Sequence, residues 1–366
     1  MVTGLIGLSV LALFATSASA QSCSLSWTEA TSGAAPSARH TQAMAYDSER
    51  GVIVLFGGNA KDPLDNYVGD TWEWEGNSWT EKLPLLSPSA RAMHAMAYDA
   101  ANGVVVLFGG WDGGGFLDDT WLWNGTQWSQ VCDQPRCDRP SARQSHKMVY
   151  DSVRGVVVLY GGHNAGITLG DTWEWNGATW TERFPAGSPS TRHVHAMSYD
   201  CSRGVVVLYG GALSSDGNTP ALKDTWEYDG NNWTQKCSDC APGPRIHHVM
   251  DYDGARGRSI LFAGVDATNS CNQYSDTWAW DGSTWVLVAG SGSGPNIRTS
   301  TAMAFVGCRG RLVVFGGIHC TGMGFDAEMR SDTWSLGPCV ADLDGDGLVG
   351  IIDFLLLLGE WGDSCQ

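Results

Sequence analysis

Apolar and polar residues alternate along most of the chain with the period of two that belongs to strands, and one such pattern returns six times. Its third copy reads SARQSHKMVYDSVRGVVVLYGGHNAGITLGDTWEWNGATWTE, and the others keep the order: Arg, then Met and an aromatic, an apolar run, Gly-Gly, a loop, and Asp-Thr-Trp. The leading residues are Arg39, Arg91, Arg143, Arg192, Arg245 and Arg298. Asp-Thr-Trp begins at Asp70, Asp119, Asp171, Asp224, Asp276 and Asp332, so each unit spans about 50 residues.

Four strands are predicted in each unit. Strand A is the HAMAYD-like alternation, strand B the β-branched run ending in Gly-Gly, strand C the segment DTWEW, and strand D the short WTE piece. Asn124-Gly125, Asn176-Gly177, Asp229-Gly230 and Asp281-Gly282 suit the positive φ of tight hairpin turns between C and D. Each unit therefore reads as a four-stranded antiparallel meander. One such sheet alone leaves its Trp and Val faces wet, so the expectation is an all-β, six-bladed propeller.

Gly-Gly after strand B, an aromatic-rich strand C and a Trp on strand D resemble the kelch repeat, the propeller family that includes the central domain of galactose oxidase. The resemblance covers about residues 22 to 339 and implies a ring closed by one terminal strand. The sixth unit stops after SDTWSLGPC without a WTE piece, while SLSWTEA stands alone at residues 24 to 30. Residues 24 to 30 are thus expected as strand D of the last blade. Aligning Trp27 with Trp79 brings Cys23 and Cys339 into the same C-to-D hairpin region, which predicts a disulfide between them. Other expected bridges are Cys132 to Cys137, Cys237 to Cys240, and Cys271 to Cys320; Cys201, Cys308 and Cys365 have no assigned partner.

Composition agrees with strands: 18 Trp and 47 Gly stand against 22 Lys plus Arg. A net charge of −17 argues against nucleic acid, whose nonspecific affinity rests on basic side chains neutralising phosphates. The apolar run from Leu5 to Phe14, ending at Ala18-Ser19-Ala20, predicts a signal peptide over residues 1 to 20, too short for a transmembrane anchor. A secreted or cell-envelope location follows, and the 11 Cys suit an oxidising compartment. The propeller is then assigned to residues 21 to 340.

Residues 341 to 366 form a separate segment. Asp342, Asp344, Asp346, the Leu348 carbonyl and Asp353 fall at positions 1, 3, 5, 7 and 12 of a Ca²⁺ loop, with Gly347 at position 6 allowing the turn. The segment resembles one half of a type I dockerin, followed by a short predicted helix. Dockerins carry two such loops, so the resemblance implies Ca²⁺ more strongly than a cohesin-like partner.

Alternation of the strands sends B-to-C and D-to-A loops to one face and the uniform A-to-B and C-to-D turns to the other. The varied face is the expected binding face. Its candidates are Tyr67, Trp111, Asp112, Phe116, His163, Tyr274, His319 and Phe325, with Asp118 and Asp266 among them. Rings beside polar groups suit a protein or a glycan. Gln42, His94, His146, His195, His248 and Thr301 follow the repeat Arg by three residues; a blade-internal hydrogen bond is the simple reading and a metal or catalytic site the other. The six Arg either pair with the six Asp or ring the channel mouth to hold an anion. No catalytic motif is recognisable. The reading is a secreted binding module for protein or glycan; the alternative is an extracellular carbohydrate-active enzyme with its site at the channel mouth.

Overall fold

Six four-stranded antiparallel sheets follow one another along the chain in this computed structural model. The described residues are 21–22, 25–30, 33–60, 66–131, 138–214, 219–267, 269–307, 310–320, 327–337 and 348–349. In the first blade strands A to D are Ala43–Asp47, Val52–Phe56, Thr71–Trp74 and Trp79–Lys82. The inner strands Ala43–Asp47, Ala95–Asp99, Lys147–Asp151, Ala196–Asp200, Val249–Asp253 and Ala302–Val306 each neighbour the next, and the last returns to the first. The ring is closed.

The sixth blade is completed as the sequence predicts. Ser26–Ala30 pairs antiparallel with Thr333–Gly337, placing Trp27 opposite Leu336. Trp27 is buried between the fifth and sixth blades with Phe262, Ile260, Val314 and Leu336. Covering an aromatic of this size contributes about 4 to 6 kcal/mol by area.

Each hydrophobic cluster draws on two adjacent blades, because strand B is apolar on both faces and packs in both directions. Asp-Thr-Trp serves this stacking residue by residue. The Thr accepts a hydrogen bond from the strand D Trp indole of the next blade: Thr71 from Trp128, Thr120 from Trp180, Thr172 from Trp233, Thr225 from Trp285, Thr277 from Trp27 and Thr333 from Trp79, all at 2.9–3.0 Å. The closure strand supplies the same bond as the other five.

The Asp pairs with the Arg of its own blade. Arg143 donates to both carboxylate oxygens of Asp171 at 2.7 Å and to the Gly161 carbonyl at 3.0 Å, while the Trp173 indole donates to the same Asp at 2.7 Å. The pairs Arg39–Asp70, Arg91–Asp119, Arg192–Asp224, Arg245–Asp276 and Arg298–Asp332 repeat this. All six Arg are buried and paired with the Asp of their own blade, so the alternative of an anion-holding ring at the channel mouth is overturned.

Gly-Gly joins neighbouring blades. Gly161 and Gly162 have φ of 66° and 111°, and the Gly162 N–H donates to the Arg192 carbonyl of the next blade at 2.9 Å. A Cβ on Gly161 would lie 2.5 Å from that carbonyl oxygen. In the fifth blade the first Gly is Ala263, held at φ 67°, and there the corresponding bond from Gly264 to Arg298 stretches to 3.3 Å.

Residues 1–24 and 338–366 group as a second unit apart from 25–337. Its described residues are a two-residue ribbon, Gln21–Ser22 paired with Leu348–Val349. Among the expected features, the signal segment 1–20, the disulfides Cys23 to Cys339 and Cys132 to Cys137, Asp342, Asp344, Asp346, Asp353 and the terminal helix lie outside the described residues.

Candidate functional site

On the varied face several of the expected loops are β-ribbons. Strands B and C run on past Gly-Gly as Val104–Trp111 with Phe116–Trp123 and Val156–Asn164 with Ile167–Trp175, and in the fourth blade Val205–Gly211 stays paired with Leu222–Tyr228 up to the second Gly. The register shifts at the first Gly of each pair, a bulge that re-aims the ribbon. Residues of the D-to-A connections bridge onto these ribbons, Ala92 to Trp111, Gln144 to His163 and His193 to Ala212.

This framework brings four of the eight candidates together. Trp111 and Phe116 are cross-strand partners with ring centroids 4.8 Å apart. Phe116 lies 5.9 Å from His163, and His163 lies 5.4 Å from His193. At the other end a Cβ on Gly113 would lie 3.2 Å from the Tyr67 ring, so Tyr67 packs beside the tip of the Trp111 ribbon. The result is a path of rings over the first four blades. Tyr67, Trp111 and Phe116 are half-buried, which leaves ring surface open to a partner. His193 was not predicted; its signal is that the position after the repeat Arg varies, reading His40, Ala92, Gln144, His193, Ile246 and Thr299. Burial pushes His163 and His193 below the usual imidazole range, so both are neutral at pH 7.

The acidic candidates serve the ribbons. Asp112 Oδ1 accepts the N–H groups of Gly114 and Gly115, both at 2.8 Å, and forms the ribbon tip. Asp118 is paired with Arg139 at 3.1 Å.

Tyr274 and His319 lie on the fifth and sixth blades and form a second group. The Arg245 guanidinium sits 4.4 Å from the Tyr274 ring centroid. His319 Nδ1 is 3.1 Å from Gln273 Oε1, which also accepts the Cys320 N–H. Cys271 and Cys320 form the expected disulfide and join the two short ribbons. Phe325 lies outside the described residues.

The expected Cys237 to Cys240 bridge is corrected: both are free thiols. Cys240 Sγ instead contacts Thr225 Oγ1 at 3.4 Å, and burial together with the neighbouring Cys237 thiol pushes Cys240 up to about 12. At that value it is no thiolate nucleophile.

The residues after the repeat Arg also require a correction. The bond is made to the preceding blade rather than within the blade: His248 Nε2 lies 3.1 Å from the Tyr209 carbonyl, and Gln42 Nε2 donates to Phe315 at 2.8 Å. His94 and His146 face the equivalent carbonyls of Phe56 and Phe108, and all four imidazoles pack edge-on against the preceding strand B aromatic. Thr301 alone bonds within its own blade, to Phe315. Burial lowers His94 to about 3 and His146, His195 and His248 well below their ordinary value. Among the described residues no group of three or more His, Cys, Asp or Glu could hold a metal ion.

Below these rings, toward the A-to-B turns, a cavity of about 340 Å³ runs along the axis, lined by the strand A Met residues and by Tyr98, Tyr150, Tyr199 and Tyr252. Asp251 is its one charged side chain; burial raises it to about 6 although it accepts the N–H groups of Tyr252 and Phe305.

The domain described as KLHDC2/KLHL20/DRC7 Kelch-repeats matches residues 17–199, half of the 366-residue chain. No curated protein matches the chain.

Proposed function

This chain belongs to the kelch-repeat domain family, and from that premise we propose that it is a protein-binding module whose partner seats on the B-to-C and D-to-A face, over the path Tyr67–Trp111–Phe116–His163–His193. The observation that carries the reading is that path itself. Rigid ribbons hold half-buried rings in a connected row, and such rings bind at little conformational cost. A glycan is the second reading, favoured by the same ring faces, on which sugars stack. An enzyme at the channel mouth fits less well. Glycoside hydrolysis calls for opposed carboxylates about 5 to 9.5 Å apart, whereas Asp112 is held by its own turn and Asp118 by Arg139.

The proposal extends to a secreted protein, on the strength of the apolar leader over residues 1 to 20, and to Ca²⁺ held by Asp342, Asp344, Asp346, Leu348 and Asp353. Carboxylates and a carbonyl are the hard oxygen donors that this ion takes. In that arrangement the loop would act as a cap or as a tag for a cohesin-like partner.

The test is a binding screen of the full chain against extracellular proteins and glycans, with and without Ca²⁺, repeated on Trp111→Ser/Phe116→Ser. The double variant should fold and lose the hit. Binding unchanged in a folded double variant would rule out the ring path, and binding lost only on deletion of residues 341–366 would move the site to the Ca²⁺ segment.

A further inference from the structure

Strand A begins with a small apolar residue in five blades, Ala43, Ala95, Ala196, Val249 and Ala302, and with Lys147 in the third. A cavity of about 50 Å³ lies on the axis at this level, lined by Lys147 together with Thr41, Ser145, His247, Ser300 and Thr301. Immediately beside it the backbone forms a closed circuit. Thr41, Met93, Ser145, Val194, His247 and Ser300 all have φ of 51–58°, and each donates its N–H to the carbonyl of the preceding member at 2.8–3.0 Å, with Thr41 donating to Ser300.

The Lys147 side chain has no hydrogen bond or ion pair among the described residues. Its charge nevertheless bears on His94, His146, His195, His247 and His248, which come from four different blades, so the ammonium stands near the axis rather than inside one sheet. Burial lowers it to about 8, which leaves it cationic at pH 7. Beside it lie the imidazoles of His94, His146 and His248, each turned to a carbonyl of the preceding strand B. A cation with no counter-charge in such a setting is a costly arrangement unless something negative completes it.

We propose that the axial cavity holds one small monovalent inorganic anion, of the halide class, on the Lys147 ammonium, with the Ser145 hydroxyl beside it. A water needs about 10–15 Å³ of such space, so the cavity has room for one small ion with a few waters, and a halide, a single atom with no geometry to match, is the simplest of that class.

Chloride and bromide are the probes. Melting curves of the full chain in sodium chloride, bromide and gluconate at equal ionic strength should show the halides raising the melting temperature by about 2 °C or more over gluconate. Lys147→Met, which gives the third blade an apolar residue like the other five, should erase that difference. A bromide-soaked crystal should show anomalous density on the axis beside Nζ. Equal halide dependence in wild type and Lys147→Met would overturn the proposal, as would absence of the bromide peak in the wild type, a measurement that does not depend on the variant folding.

Discussion

Each Asp of Asp-Thr-Trp meets a guanidinium fork, and the balance of two effects sets its chemistry. Burial alone would raise Asp70, Asp119, Asp171, Asp224 and Asp332, but the hydrogen bonds and charge of their Arg partners outweigh it and hold them below the usual carboxylate range. Asp171→Asn removes the charge and leaves Arg143 buried with an incomplete partner. The expected loss is about 3 to 5 kcal/mol, read from urea unfolding, and a loss below 1 kcal/mol would show that the pair contributes little. At Gly161 the constraint is steric. Gly161→Ala forces a left-handed Ala and a 2.5 Å approach to the Arg192 carbonyl, and should cost about 2 kcal/mol or more. The native Ala263 indicates how such a change is accommodated, with the joint to the next blade lengthened to 3.3 Å rather than closed at 2.8–3.1 Å.

Strands A to D and the role of residues 24 to 30 were legible in the sequence because a repeat states its own missing part: a sixth unit without WTE and a WTE without a unit. What could not be read was anything decided by the neighbouring unit. The expected blade-internal bonds of His94, His146 and His248 turn toward the preceding strand B, because consecutive blades stack face to face and each imidazole packs edge-on against the preceding sheet's aromatic. The B-to-C ribbons were hidden for another reason. GGHNAGITLG is rich in turn residues, and only the bulge at Gly161 lets the strands resume pairing beyond it. At this scale the closure strand makes a specific prediction. Trp27→Phe keeps the apolar ring and loses only the bond to Thr277, at a cost of about 1 kcal/mol, whereas deletion of residues 21–30 exposes the interface between the fifth and sixth blades. The deletion should abolish the cooperative melt, and retention of the wild-type melting temperature would refute closure by this strand.

At the scale of the whole ring, the imidazoles packed between blades govern how stability responds to acid. His94 and His247 are lowered to about 3 and His146, His195 and His248 well below their ordinary value, chiefly because burial opposes the charged form. The unfolded chain protonates them near pH 6.5, where the native ring does not, so below pH 6.5 the unfolded state binds more protons and stability falls as pH falls. Each such His contributes at most about 1.4 kcal/mol per pH unit below that point. Asp251 works in the opposite sense: raised to about 6, it is protonated in the native state where the unfolded chain has already released its proton, so its contribution is present below about pH 4 and lost as pH rises toward 6. One group against five leaves the imidazoles in control. The Arg-paired carboxylates act later, their stabilisation being lost only as pH falls below about 4. The melting temperature should therefore be level between pH 7 and 8 and fall steeply between pH 6.5 and 4.5, well before the carboxylates titrate. His146→Gln places in the third blade the residue that the first blade already carries as Gln42, and the fall should become shallower in that variant. A melting temperature that stays constant from pH 7 to pH 5 would mean that the imidazoles protonate in the folded ring, with water or an anion reaching them along the axis.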